Sequence, residues 1–207
     1  MRLYDSTIPS GNVYKVQLLL AQLDVSYETV EMNILATPSE TRRTEFLAKN
    51  PNGRVPVLEL DDGRNLPESN AILFYLAEGT PFLPDDSWLR AEVLKWMFFE
   101  QYSHEPYVAV LKFWTYWGGL ANLRADELER LRVRGQAALD VMAVGLGGHP
   151  FFVGDRYSIA DIALFAYTQS AVAIGLSLDP KLEAWLDRVR SQPGYVPIKR
   201  DPYGKAP

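Results

Sequence analysis

The chain has 207 residues, 47% of them hydrophobic, which is enough apolar content for one generous core or two small ones. Its 26 acidic and 21 basic residues are mixed along the sequence and leave a net charge of -5; with no basic block to neutralise a phosphate backbone, nucleic acid is excluded as an expected partner. The lack of cysteine excludes a disulfide framework, a thiolate metal site and a thiol nucleophile borne by the protein, and the absence of a long apolar run predicts a soluble, cytoplasmic chain with no membrane partner.

Arg2 to Asp5 reads as a short strand, and Val13, Val16, Leu19, Leu20 and Leu23 follow at helical spacing on one face. Ser26 to Glu31 alternates again as a second strand. Thr37-Pro38-Ser39-Glu40 fits a capping box with proline at the first helical position, predicting a helix that stops at Asn50-Pro51. Val55 to Leu60, the turn Asp61-Asp62-Gly63-Arg64 and the return to Leu66 predict a hairpin. Pro56 sits awkwardly ahead of that strand, because proline donates no ladder hydrogen bond. From its local sequence alone a trans bond is expected, since only about 5–6% of such bonds are cis. A serine-capped helix then runs from Ser69 to Gly79. The order βαβ, α, ββα predicts one mixed four-stranded sheet with helices on its faces.

The Pro, Gly and Asp cluster that follows predicts a linker over 80–87, separating domains at 1–79 and 88–207. Everything after it reads as all-helical. The first helical stretch carries Leu89, Val93, Trp96, Met97 and Phe99, with a kink expected at Pro106, and the last uses Asp179 as cap and Pro180 at its first position. The tail from Gly194 is too rich in proline and glycine to be regular.

Two loop–helix junctions hold candidate chemistry. Ser6, Thr7 and Ser10 precede the first helix, whose N-terminus attracts anions through its unsatisfied N–H groups and dipole. Glu68-Ser69 starts another helix, where the serine suits a carboxylate and the glutamate an amine. Each fragment alone is read first as a helix cap. Together with an exposed peptide before Pro56, they describe a groove for a short peptide carrying a free α-amino acid end.

The ordered set Ser10 with Asn12, then Asn52-Gly53-Arg54-Val55-Pro56, then Glu68-Ser69, resembles the glutathione-binding elements of cytosolic, bacterial-type glutathione S-transferases. Phe151 to Phe165, with Ser158 and Asp161 as a reciprocal pair, is similar to the capping-box segment of that family's helical domain. The resemblance spans essentially the whole chain. It implies a thioredoxin-like N-terminal domain, an all-helical C-terminal domain, a homodimer and a detoxifying conjugation of glutathione to small hydrophobic electrophiles. It also implies a cis Val55-Pro56 bond whose preceding backbone pairs with the cysteinyl part of glutathione.

By the same resemblance, Ser10 donates to the glutathione thiolate and Asn12 is a second donor near the sulfur. Glu68 and Ser69 receive the γ-glutamyl end, Val55 supplies the backbone pair, and Asn52, Arg54 and Arg43 are candidates for the glycyl carboxylate, with Arg43 read first as a surface charge. Tyr4 is expected to be a strand residue without a catalytic part. Ser158 and Asp161 are assigned to folding. Ile8, Tyr102, His104, Tyr107 and Trp114 are the candidates for an apolar acceptor pocket, although a hydrogen-bonded structural role is the first reading of His104. No metal is expected, because His104 and His149 lack ligand spacing. The alternatives are a glutathione-dependent disulfide or peroxide reductase, and a non-catalytic glutathione-binding domain.

Overall fold

A computed structural model describes residues 1–198 and forms two compact units, Met1–Glu78 with residues 193–198, and Gly79–Gln192. The last part of the expected irregular tail, 199–207, lies outside the described residues.

In the first unit, β1 (Arg2–Ser6) pairs in parallel with β2 (Glu28–Met32) and antiparallel with β3 (Val57–Glu59), which pairs antiparallel with β4 (Asn65–Pro67). The spatial order is β2-β1-β3-β4, the mixed sheet the strand pattern predicts. Register sets the faces: Leu3 stands opposite Leu58 and Tyr4 opposite Val57, so successive residues serve two different cores. Leu3 and Leu58 pack with Val13, Val16 and Leu20 of α1 (Gly11–Gln22) and Ile72 of α3 (Ser69–Ala77). Tyr4 and Val57 pack with Met32 and with Phe46 of the short α2 (Thr44–Leu47) on the other face. The hairpin turn places Gly63 at φ 83, where glycine meets no Cβ penalty.

The segment before α2 departs from its expected capping box. Thr37-Pro38 is a cis bond, and Ser39 caps instead, accepting from the Thr41 amide at 3.4 Å ahead of a 3₁₀ turn over Glu40–Arg42. Glu40 reaches back to the Asn33 amide at 2.6 Å. The cap thus lies two residues beyond Thr37, and no reciprocal capping box forms here.

The tail, expected with the helical domain, returns to the first unit. Tyr14 of α1 donates its hydroxyl to the Val196 carbonyl at 2.8 Å, and Ile198 is 9% exposed. A β-carbon at Gly194 would lie 2.8 Å from Gln22 Cα, so glycine permits this close approach to the end of α1.

The second unit is helical apart from one isolated bridge between Val153 and Arg156. It contains α4 (Ser87–Phe99), α5 (Glu105–Phe113), α6 (Ala125–Leu146), α7 (Ile159–Thr168) and α8 (Pro180–Arg190). Between α4 and α5 the helix widens to a π-turn over Glu100–His104, immediately before Pro106. Proline lacks an N–H and its ring crowds the carbonyl one turn back, so the expected kink takes the form of a widened turn. Asp179 caps α8 through the Lys181 amide at 2.8 Å, with Pro180 first in the helix.

Candidate active site

Ser10 ends the loop after β1 in extended conformation and caps α1, its Oγ accepting from the Val13 amide at 3.4 Å. Capping uses a lone pair, so the hydroxyl proton remains to be donated outward. The helix behind it adds a positive end that favours an anion.

Asn12, one residue into α1, is tied down from below. Its Oδ1 accepts from Lys15 Nζ at 2.8 Å and from Ser69 Oγ at 3.3 Å, and Lys15 Nζ also lies 3.5 Å from Ser69 Oγ. Lys15 is 0% exposed and Ser69 4%. The network joins the starts of α1 and α3, the two junctions that the sequence reading brings into one groove. It also commits the Ser69 hydroxyl to the Asn12 side chain.

Glu68, the residue before α3, is exposed and has φ 71 with ψ 112. Positive φ is rare for a residue with a β-carbon and clusters at ligand-binding positions. The Val55-Pro56 bond is cis, as the resemblance implies, and Pro56 is buried while Val55 is half-buried just ahead of β3. The loop leading to it is organised by Asn50, 3% exposed, whose Nδ2 donates to the Arg54 carbonyl at 2.8 Å and whose Oδ1 accepts from the Asn52 amide at 3.0 Å. Gly53 turns the chain at φ 64, where a β-carbon would meet Arg42 Nη1 at 2.6 Å. The side chains of Asn52 and Arg54 are exposed. Arg43 pairs with Glu40 at 2.7 Å and is 64% exposed, consistent with its first reading as a surface charge.

Tyr4 is held in a polar chain away from this set. Its hydroxyl donates to Glu59 at 2.8 Å, and Lys49 reaches the same carboxylate oxygen at 2.7 Å. Burial and then the bond to Glu59 push the phenol above its ordinary range, while Lys49 and Tyr4 hold the Glu59 carboxyl below its own. This phenol is poorly suited to losing its proton.

Of the acceptor-pocket candidates, Ile8 lines a cavity of about 170 Å³ in the first unit, together with Ser10, Asp5 and Glu31. In the second unit Tyr102 is 84% exposed, and Tyr107 and Trp114 are half-buried. Trp114 stacks edge-on against Phe113 with centroids 5.8 Å apart and covers Gly118, where a β-carbon would come within 2.3 Å of the indole. His104 is 0% exposed. Its Nε2 lies 3.0 Å from Thr168 Oγ1, which donates to the Leu164 carbonyl at 2.7 Å. The Nε2–H tautomer therefore donates to the threonine, and His104 is a core residue with no wall of a pocket to form.

Ser158 and Asp161 form the reciprocal capping box of α7. Asp161 also accepts from the Phe152 amide and from Trp185 Nε1, each at 3.0 Å, tying the preceding loop and α8 to one carboxylate. Burial pushes its carboxyl up to about 6. Among the described residues no group of three His, Asp or Glu side chains is placed to hold a metal ion, and no helix is long and apolar enough to cross a membrane.

Sequence reasoning missed Lys15 and Asn50. Lys15 gave no signal beyond being a lysine on a helix otherwise lined by apolar residues. Asn50 was read only as a helix stop.

Comparison with known proteins bears on the same residues. The glutathione S-transferase N-terminal domain model matches residues 1–78, and the C-terminal domain model of the same name matches 125–188. The disulfide-bond oxidoreductase YfcG of Escherichia coli is 30% identical over 89% of this chain and 88% of its own. A glutathione S-transferase from Pseudomonas fluorescens is 50% identical, superposes with a TM-score of 0.90, and is covered over 97% of its chain and 95% of this one. Another Pseudomonas fluorescens family member, solved with two glutathione bound, is 26% identical with a TM-score of 0.78 over 93% of this chain and 89% of its own.

Proposed function

The chain belongs to the glutathione S-transferase family, and on that premise we propose that it binds glutathione, stabilises its thiolate through Ser10 and transfers it to small hydrophobic electrophiles. The observation that carries this reading is the Asn12–Lys15–Ser69 network, which brings the starts of α1 and α3 together. One helix start suits a thiolate and the other an amino-acid end.

A free thiol has a pKa of about 8.5. A hydroxyl donor at a helix N-terminus favours the charged form and so supplies more nucleophile at neutral pH. Ser10 is assigned that donor role, with Asn12 beside it. Glu68 takes the γ-glutamyl ammonium, the Ser69 amide its carboxylate, and the Val55 backbone pairs with the cysteinyl residue. Asn52 and Arg54 are assigned the glycyl carboxylate. Holding both reactants together supplies the rest of the acceleration. Thiolate attack forms the carbon–sulfur bond as the leaving group departs with its electron pair.

Ser10→Ala tests the assignment in a chromogenic aryl halide assay. Loss on the order of 10²-fold in turnover is expected for removing one preorganised donor, with the thiol of bound glutathione titrating at higher pH. Equal rates for the two proteins would remove Ser10 from the mechanism.

A second reading is favoured by the similarity to a disulfide-bond oxidoreductase. The chain has no cysteine, so two glutathione molecules would reduce one disulfide. The first thiolate attacks a disulfide sulfur and expels the other as thiolate; the second resolves the mixed disulfide, giving oxidised glutathione. Turnover of a model disulfide against a model halide separates the readings. A homodimer is proposed as well, supported by the exposed aromatic side chains of Trp88 and Phe98, both 70% exposed, and of Tyr102 on the second unit.

A further inference from the structure

Position 15 lies on a part of α1 where Val13, Val16, Leu18, Leu19 and Leu20 are all 0% exposed, and Lys15 is as completely buried. Burying an ammonium costs several kcal/mol even after the protein relaxes, so packing alone favours an apolar side chain of similar volume. Its head meets Asn12 Oδ1 at 2.8 Å and Ser69 Oγ at 3.5 Å.

An ammonium has three donors and no acceptor. The end of the Asn12 amide that faces Lys15 must therefore be the carbonyl oxygen, and the NH₂ is turned the other way. Ser69 alone does not fix this, because a hydroxyl donates to an oxygen or accepts from an NH₂ equally well. With Lys15 in place the serine proton is also committed, donating to Asn12 Oδ1 at 3.3 Å.

We propose that Lys15 is a positioning residue of the glutathione site: it holds the Asn12 amide with its NH₂ toward the sulfur and locks the start of α3 to the start of α1. The inference rests on the glutathione reading and deepens it. Lys15 acts on the ligand through Asn12 and Ser69.

The test compares wild type with Lys15→Met, Asn12→Ala and the double variant, each checked for folding by circular dichroism. The ultraviolet absorbance of bound glutathione thiolate is titrated against pH, and KM for glutathione is measured apart from kcat. Lys15→Met is expected to lower the thiolate fraction near neutral pH by roughly tenfold, a shift of about one pKa unit, and to raise KM. The double variant should lose less than the product of the two single losses, since much of the effect passes through that amide. An unchanged titration in folded Lys15→Met, or losses that multiply in the double variant, would overturn the proposal. Should Lys15→Met not fold, Lys15→Gln carries the same comparison, with a smaller shift expected because it keeps a donor. Wild type that binds no glutathione overturns the functional reading and the ligand role of Lys15 with it. Independent thermal stabilities of the Lys15→Met and Asn12→Ala lesions in ligand-free protein would instead remove the network itself.

Discussion

A serine hydroxyl has two lone pairs and one proton, and at position 10 the cap to Val13 takes a lone pair while the proposed thiolate takes the proton. The cap and the ligand role are therefore compatible, and a sequence motif for one is also a motif for the other. Lys15 was not legible in the same way, because a lysine on an apolar helix face ordinarily extends its stem and keeps its charge in water. Its burial becomes visible only in the fold, where its head meets Ser69 at the start of α3. Replacement of Gly53 should be felt sharply for so small a change. With φ 64 and a β-carbon 3.0 Å from the Thr41 carbonyl as well as 2.6 Å from Arg42 Nη1, Gly53→Ala is expected to cost about 1–3 kcal/mol. It should also weaken glutathione binding by disturbing the approach to Val55. Denaturant unfolding and calorimetric titration check the two effects; unchanged stability would show that the loop absorbs the methyl group.

Elements with reciprocal chemistry were read more reliably than elements with only a matching pattern. The box at Ser158 and Asp161 is present, whereas Thr37 and Glu40 had the right spacing and the wrong partners: Glu40 takes the Asn33 amide and Ser39 does the capping. Local spacing cannot report which amide a carboxylate will reach once the chain turns. Asp161 gives α7 a pH signature. Its folded value of about 6 lies above the unfolded value of about 3.9, so the folded state binds more protons between them. The contribution of this group to stability therefore rises as pH falls from about 7 toward about 4. Asp161→Asn removes the titration and one acceptor oxygen of the network, at an expected cost of about 2 kcal/mol. Denaturant melts of both proteins at about pH 7 and about pH 5 should show the gap widening at the lower pH. A gap that stays constant would mean that Asp161 does not titrate in this range.

For the whole molecule, strand alternation and loop chemistry made the mixed sheet and the helical unit legible, because both follow from local periodicity. The destination of the tail was not, since proline and glycine content says only that a segment is irregular. The proposed homodimer predicts a sedimentation mass twice that of one chain, and Phe98→Glu should shift the protein toward monomer with its helicity unchanged. A wild type that sediments as a monomer would refute that assembly. The return of the tail also bears on how the protein is made. Tyr14 sits on the helix that carries Ser10, and its hydroxyl bonds to a carbonyl 182 residues later. During synthesis the first unit thus reaches the ribosome exit long before this anchor does. The helix presenting the proposed nucleophile-stabilising serine gains that tether only after the entire helical unit has been translated.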